Sequence, residues 1–148
     1  MTTRSFVLMA VWALGAAVAP AVQASDNVLH LPIKDVLENP EYKARIGSEV
    51  ALYFGKQAGP AGANMGEYIT NKKTNAFGKS SEKACQWAML SAVLELVERA
   101  RRESADAVVN ITSYYKRIEF ASDSEYECHA GGVVAGVALK GKVVKTKK

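Results

Sequence analysis

Cysteine and histidine are scarce in this chain of 148 residues, which contains two of each. Two cysteines cannot supply a four-cysteine zinc site, and two histidines leave few candidates for general acid–base catalysis. Charged residues amount to 23% and hydrophobic residues to 49%, a balance that excludes a disordered tail and a polytopic membrane protein. A chain of this length is expected to form a single domain.

The start of the chain has the pattern of a secretory signal peptide. Arg4 gives it a positive charge, residues 6–22 contain no charged side chain, and residues 22–24 form a small-x-small cleavage motif. We therefore predict a signal peptide over residues 1–24 and a single domain over residues 25–148. The alternative is an uncleaved anchor helix, for which the uncharged run is shorter than the roughly 20 residues that a span prefers.

Charge and hydropathy restrict the expected partners. The formal net charge of +4 is too mild to predict a nucleic-acid partner. No later segment is apolar over enough residues to cross a membrane, so we predict a periplasmic or secreted protein without a transmembrane segment after cleavage. The basic C-terminal end, residues 140–148, is interpreted as an edge strand that lysines protect from aggregation. The alternative is a surface attracted to anionic envelope polymers or lipid head groups.

Hydrophobic periodicity predicts an α+β domain, in which one long amphipathic helix packs on a small, mainly antiparallel sheet in the order β-α-β-β-β. The long helix begins at Ser80 or Ser81 and ends near Glu103. A shorter helix begins at Asn39 and ends at Gly47. The other predicted elements are a helical turn over residues 31–37, strands over 49–54, 107–115 and 125–130, a hairpin formed by 68–70 and 74–77, a surface loop over 55–67 and a turn over 122–124. A final strand is predicted over 133–139 and 143–144, interrupted at Gly136 and Gly141.

The long helix has one apolar face and a wider apolar flank. The face consists of residues that recur with a period of 3.6, namely Cys85, Met89, Ala92, Leu96 and Ala100. Trp87, Leu90 and Leu94 extend the apolar surface beyond this face. We therefore expect the flank to be covered by the N-terminal segment or by another subunit, and a homo-oligomer is one expected state.

The two cysteines are predicted to form a disulfide. Cys85 lies on the apolar face of the long helix, and Cys128 lies on the apolar side of the strand over residues 125–130. If the helix packs on the sheet, both side chains point into the same layer. An oxidising compartment favours their pairing. Two buried free thiols and an intermolecular bridge are the alternatives.

The polar side of the same strand contains Glu125, Glu127 and His129. Two carboxylates and an imidazole at alternate positions suit a weak divalent metal site, whereas the plainer interpretation is a solvated strand face without a metal. His30 is expected near a mobile N-terminus. Cys128 and His129 cannot act together, because neighbouring side chains on a strand point to opposite faces. We therefore predict no catalytic residue and no cofactor.

Four segments resemble a group of small secreted bacterial proteins often labelled "excinuclease ATPase subunit", namely residues 84–88 (ACQWA), 105–111 (ADAVVNI), 125–131 (EYECHAG) and 137–141 (VALKG). The resemblance covers residues 31–144. The helix, the strand at 105–111 and the following hairpin are also similar to the YbjQ-like fold. That similarity implies a strand, a helix and further antiparallel strands, assembly into rings, and a suggested heavy-metal-binding role.

The ATPase label does not fit the residues. A nucleotide-binding P-loop needs a glycine five positions before its Gly-Lys-Ser, and Lys73 occupies that position relative to Gly78-Lys79-Ser80. The sequence instead favours a non-catalytic envelope protein with a structural or ligand-binding role. A weak metal-binding or metal-sensing module is the alternative function, and an enzyme comes third.

Overall fold

The computed structural model describes residues 26–146, so the predicted signal peptide over residues 1–24 lies outside the described part, as do residues 147 and 148. The elements are β1 (Asn27–Pro32), α1 (Lys34–Leu37), α2 (Pro40–Ile46), β2 (Ala51–Phe54), β3 (Gly62–Asn75), α3 (Ser81–Arg102), β4 (Ala107–Ser113), a 3-10 turn (Tyr115–Arg117), β5 (Glu125–Ala130) and β6 (Val134–Thr146). The predicted α+β class is confirmed, because the long helix α3 packs on a sheet. No helix in this part of the chain is long and apolar enough to span a membrane.

Strand β6 is the centre of a six-stranded sheet. β3 pairs with one edge of β6 over its whole length, while β5 and β4 pair with different stretches of the other edge. β1 adds to β5, and β2 adds to β4. The β2–β4 pairing is parallel and the other four are antiparallel, so the sheet is mixed.

The long helix α3 forms as its sequence pattern predicts. The Ser80 side chain accepts a hydrogen bond from the backbone N–H of Lys83 at 3.2 Å and caps the first turn. The predicted apolar face is fully buried against the sheet. Burial of this stripe fixes how the helix lies on the strands, because an amphipathic helix must cover its apolar side. Its fully buried members are Cys85, Met89, Ala92, Leu96 and Ala100.

The apolar flank of α3 is covered by α2 of the same chain. The rings of Tyr42 and Trp87 lie 5.4 Å apart, and Leu90 is fully buried. The ammonium group of Lys83 donates a hydrogen bond to the hydroxyl group of Tyr42 at 3.0 Å, and this bond raises the pKa of Lys83. At Trp87 the N-terminal segment therefore supplies the cover, as one of the two predicted alternatives, whereas Leu94 is half-buried in an open depression.

Helix α2 confirms the predicted start and end. The side chain of Asn39 accepts hydrogen bonds from the N–H groups of Glu41 (3.0 Å) and Tyr42 (3.3 Å). The helix ends at Gly47, whose φ of +78° favours glycine. The helical turn predicted over residues 31–37 is wrong in its first residues, because these belong to β1. That strand is defined by its pairing with β5, a partner distant in sequence.

The hairpin predicted at 68–70 and 74–77 is wrong, and the surface loop predicted over 55–67 is too long. Residues 62–75 form the single strand β3, which pairs continuously with β6. The turn-forming residues 71–73 are held extended by this long partner. The pairing register shifts between Asn64 and Gly66, near the start of the strand, and Gly66 has a φ of +123° there.

The second half of the sheet also differs from the prediction. The final strand, predicted over residues 133–139 and 143–144, is confirmed as β6, but it continues through Gly136 and Gly141 without the predicted interruptions. The strand predicted to reach residue 115 ends at Ser113, and the predicted turn at 122–124 is only the end of a connection over 114–124. β4 and β5 both pair with β6 instead of with each other. Relative to the predicted order, β1 and β3 are additional strands.

Candidate functional site

The sheet has a face that α3 covers and an opposite face, which we call the outer face. Cys128 points toward α3 and is fully buried. His129, the next residue, points to the outer face, where Val28 is its neighbour on β1 and Gly136 its neighbour on β6. The alternation predicted for residues 125–130 is therefore confirmed.

Four titratable side chains lie together on the outer face, and we call them the outer-face cluster: Asp26, His30, Glu127 and His129. Glu127 is central. One of its carboxylate oxygens lies 2.8 Å from Nε2 of His129, and the other lies 3.6 Å from Nε2 of His30. Nδ1 of His129 lies 3.1 Å from the carboxylate of Asp26. The cluster is thus a chain of alternating acids and imidazoles that joins β1 to β5.

Aromatic rings from the connection over residues 114–124, here called the covering loop, lie on both imidazoles. The ring of Tyr115 stacks on His129 with centroids 3.4 Å apart, and the ring of Phe120 stacks on His30 at 4.3 Å. The hydroxyl group of Ser113 accepts a hydrogen bond from the N–H of Glu127 at 2.9 Å. These contacts hold the loop over the outer face of β5 and β1.

A lysine on β6 fastens the same loop. The ammonium group of Lys140 donates a hydrogen bond to Glu119 at 2.6 Å and lies 4.6 Å from the ring centroid of Tyr114. The hydrogen bond to Glu119 raises the pKa of Lys140. The predicted basic C-terminal end thus contributes at least one of its lysines to a contact within the domain.

Both ring nitrogens of His129 lie next to carboxylate oxygens, Nδ1 next to Asp26 and Nε2 next to Glu127. The two central side chains are the most shielded from water. The side chains of His129 and Glu127 are 12% and 17% exposed, whereas those of His30 and Asp26 are 44% and 45% exposed.

The structure brings together only part of the predicted metal set. Glu127 and His129 are in contact, whereas Glu125 is exposed and is not one of the four residues of the outer-face cluster. His30, expected near a mobile N-terminus, instead lies in β1 and faces Glu127, so that expectation is wrong. Within residues 26–146, no three His, Cys, Asp or Glu side chains are arranged so that they could hold a metal ion.

The predicted disulfide is present on the opposite side of the same strand. Cys85 on α3 and Cys128 on β5 are bonded, with their Cα atoms 5.9 Å apart, and both are fully buried. Strand β5 therefore carries a covalent link to the helix on one face and the outer-face cluster on the other.

Exposed apolar side chains are distributed unevenly. Among residues 26–146, the helices contribute none of the large apolar side chains that are exposed. Those on strands point to the outer face, and the others lie in the loops next to it. They are Val28, Ile69, Phe77, Ile118, Val133 and Val134.

Comparison of the chain with protein-family models, with curated proteins and with solved structures finds no match, so the YbjQ-like resemblance stays a prediction.

Proposed function

We propose that this chain is a non-catalytic protein of the bacterial cell envelope, periplasmic or secreted, that binds a ligand or partner through the outer face of its sheet. The observation that carries the proposal is the uneven distribution of exposed apolar side chains. Large apolar groups in water mark interaction surfaces when they gather on one side of a molecule. Here they gather on the outer face and its loops, and the helical side has none among the described residues.

The proposed compartment is supported by the disulfide. Cys85 and Cys128 are the only two cysteines of the chain, and both are consumed in one buried bond. Disulfides of this kind persist in oxidising compartments and are rare in the cytosol. The pattern of residues 1–24 points to the same location.

The non-catalytic part of the proposal is supported by how the outer-face cluster is satisfied. Its central groups, Glu127 and His129, are engaged by each other and by Asp26. Tyr115 and Phe120 lie flat on the two imidazoles and occupy one face of each ring. A general base needs a free lone pair within reach of a substrate, and this arrangement commits both ring nitrogens of His129 to internal contacts. The cluster thus serves to fasten the covering loop and β1.

Site-specific photo-crosslinking in the envelope tests the proposed binding surface. A benzophenone side chain at Ile118, on the covering loop, is expected to give a discrete adduct. The matched control is the same side chain at Arg102, which is exposed at the end of α3. Equal adducts at both positions, or none at Ile118 in correctly oxidised protein, would contradict the proposal.

A second candidate function is weak metal binding, which one observation favours. Nε2 of His30 and Nε2 of His129 both face the carboxylate of Glu127. A small rotation of these side chains would offer two imidazoles and one carboxylate, a donor set that zinc uses. Forming the site requires breaking the existing contacts, so the affinity is expected to be low.

Titration of the oxidised protein with zinc tests this candidate. We expect no binding tighter than micromolar, because the metal must displace the His129–Glu127 contact. Stoichiometric zinc that survives dialysis and is lost in both His129→Ala and His30→Ala would show that metal binding is the primary function. Loss in Glu125→Ala alone would favour the set predicted from the sequence.

A further inference from the structure

Two loops and the first residue of β6 meet at one end of the sheet and present three apolar side chains, here called the apolar tip: Phe77, Val133 and Val134. Phe77 lies between β3 and α3, and Val133 lies in the turn between β5 and β6. The three side chains line one open depression with Lys73, Thr74 and Asn75. Their exposed fractions are 74%, 64% and 45%.

The tip is held by backbone hydrogen bonds. The N–H of Ala76 donates to the carbonyl of Val133 at 2.7 Å, which joins the two loops directly. The N–H of Gly131 donates to the carbonyl of Val134 at 2.8 Å and closes the turn. The side chain of Asn75 accepts from the N–H of Phe77 at 2.8 Å, so the aromatic residue is presented by a defined turn. Exposure of these side chains is therefore built into the local fold.

Two lysines, Lys73 and Lys79, lie beside the tip. The two segments that form it, residues 71–80 and 130–135, contain three lysines and no aspartate or glutamate. Lys73 lines the depression itself. The ammonium group of Lys79 donates to the carbonyl of Asn75 at 3.2 Å, and the side chain of Asn75 in turn accepts from the N–H of Phe77. Lys72 points to the other face of β3 and pairs with Glu95 at 2.8 Å. Two acids lie near these segments: Glu82 is in the first turn of α3, and Asp26 precedes the β1 residue that pairs with Ala130 and lies 3.1 Å from Nδ1 of His129.

We infer that the apolar tip docks on the surface of a lipid bilayer that contains anionic head groups. The aromatic ring and the two valines enter the boundary between head groups and acyl chains, while Lys73 and Lys79 contact the lipid phosphates. Apolar side chains with a basic surround are the combination that peripheral membrane proteins use. The tip offers projecting side chains from two loops, which suits a deformable partner more than a protein surface that must match it in shape. The inference rests on the proposed envelope location, because a protein in the envelope has access to a membrane surface.

Co-sedimentation with lipid vesicles tests the inference. The protein used is the oxidised chain of residues 25–148, which includes every described element. It is expected to bind vesicles of phosphatidylcholine with phosphatidylglycerol, and to bind more weakly to phosphatidylcholine alone or at high salt. Phe77→Ser should lower the partition coefficient about tenfold, as loss of one inserted aromatic side chain implies. Ala44→Ser, at an exposed position on α2 outside the outer face and the tip, is the control and should change nothing.

Three results would overturn the inference: absence of binding to the anionic vesicles, equal loss in the two serine variants, or a Phe77→Ser effect on sedimentation velocity without lipid. The last would assign the tip to contact between copies of the chain. Because Phe77 is exposed, Phe77→Ser is expected to fold, and retention of the disulfide checks this. The crosslinking experiment at Ile118 does not involve the tip, so failure of the lipid experiment leaves the proposed outer-face function standing.

Discussion

Tyr126 places a polar hydroxyl group in the buried core without a hydrogen-bond partner among the described residues. Its side chain is 1% exposed on the helix-facing side of β5, and its hydroxyl group has no hydrogen-bond partner among residues 26–146. Burial is the main cause that raises the pKa of Tyr126, and the nearby charge of Asp35 adds to it. A buried polar group without a partner loses its hydrogen bonds to water, and no hydrogen bond within the protein compensates for this cost in free energy.

We predict that Tyr126→Phe raises the free energy of unfolding by about 1 kcal/mol, because the unpaired hydroxyl group is removed. The variant should also be less sensitive to alkali. The raised pKa means that the native state keeps its proton where the unfolded state loses it, above pH of about 10. The wild-type protein therefore loses stability as the pH rises through that range, and the variant lacks this contribution. Urea unfolding at two pH values measures both effects.

The control for this prediction is Tyr53→Phe, a half-buried tyrosine on β2, which should alter stability by less than about 0.5 kcal/mol. A clear loss of stability in Tyr126→Phe would mean that the hydroxyl group is in fact hydrogen-bonded in solution.

At this scale, the sequence predicts which way a side chain points but not what it meets. The alternation of residues 125–130 is local and correctly separates Cys128 from His129. The contacts of His129 with Asp26, and of Glu127 with His30, depend on the register of β1 against β5. Nothing in either segment alone encodes that register, so Asp26 and His30 could not be predicted as members of the outer-face cluster.

The elements are linked by one covalent bond between α3 and β5, across a sequence separation of 43 residues. α3 could be predicted because a 22-residue amphipathic repeat outweighs any tertiary influence. β3 could not, because its polar stretch 71–73 is extended only through its pairing with β6. Long-range pairing overrides weak local preference in strands more than in helices. The disulfide could be predicted because the helical period of α3 and the alternation of β5 each indicate the face on which its cysteine lies.

We predict that Cys85→Ser and Cys128→Ser each lower stability strongly, by up to about 4 kcal/mol in the chain-entropy estimate for such a loop. The double variant should be little worse than either single variant, because each substitution already breaks the bond. Thermal unfolding of the three variants under the same conditions measures this.

Thiol labelling supplies the independent check for the disulfide. Under denaturing, non-reducing conditions, the wild-type protein should show no free thiol, and each single variant should show one. Nearly additive losses of stability in the double variant, or two labelled thiols in the wild-type chain, would mean that the cysteines are ordinary buried thiols.

For the whole molecule, the sequence predicts the class correctly and the connectivity incompletely. Burial of the α3 stripe and the alternation of β5 are enough to predict a helix on a sheet. The position of β6 at the centre of the sheet, the parallel β2–β4 pair and the edge position of β1 follow from long-range contacts that no local pattern reveals. The pairing of β4 and β5 with one strand, instead of with each other, has the same cause.

We predict that the protein isolated from cells begins at Ser25 and is released with the soluble contents of the envelope. The reason is the charged start, the uncharged run over residues 6–22 and the cleavage motif that follows. N-terminal sequencing of protein released by osmotic shock makes the measurement. Replacement of Ala24 by a large residue, Ala24→Leu, should block processing and retain the chain at the membrane. A membrane-bound wild-type protein that begins at Met1 or Thr2 would contradict the prediction.

The antiparallel pairing of β1 with β5 has a consequence for the order of folding. Asn27 is the partner of Ala130, so the two strands are separated by about a hundred residues, and closing such a loop is slow compared with forming local contacts. β1 is synthesised early but must wait for a late partner. We therefore expect α3 to form first and the β1 edge to join last. Formation of the outer-face cluster between the two strands then marks the completion of folding. During refolding, the backbone amides of β1 should become protected from hydrogen exchange later than those of α3.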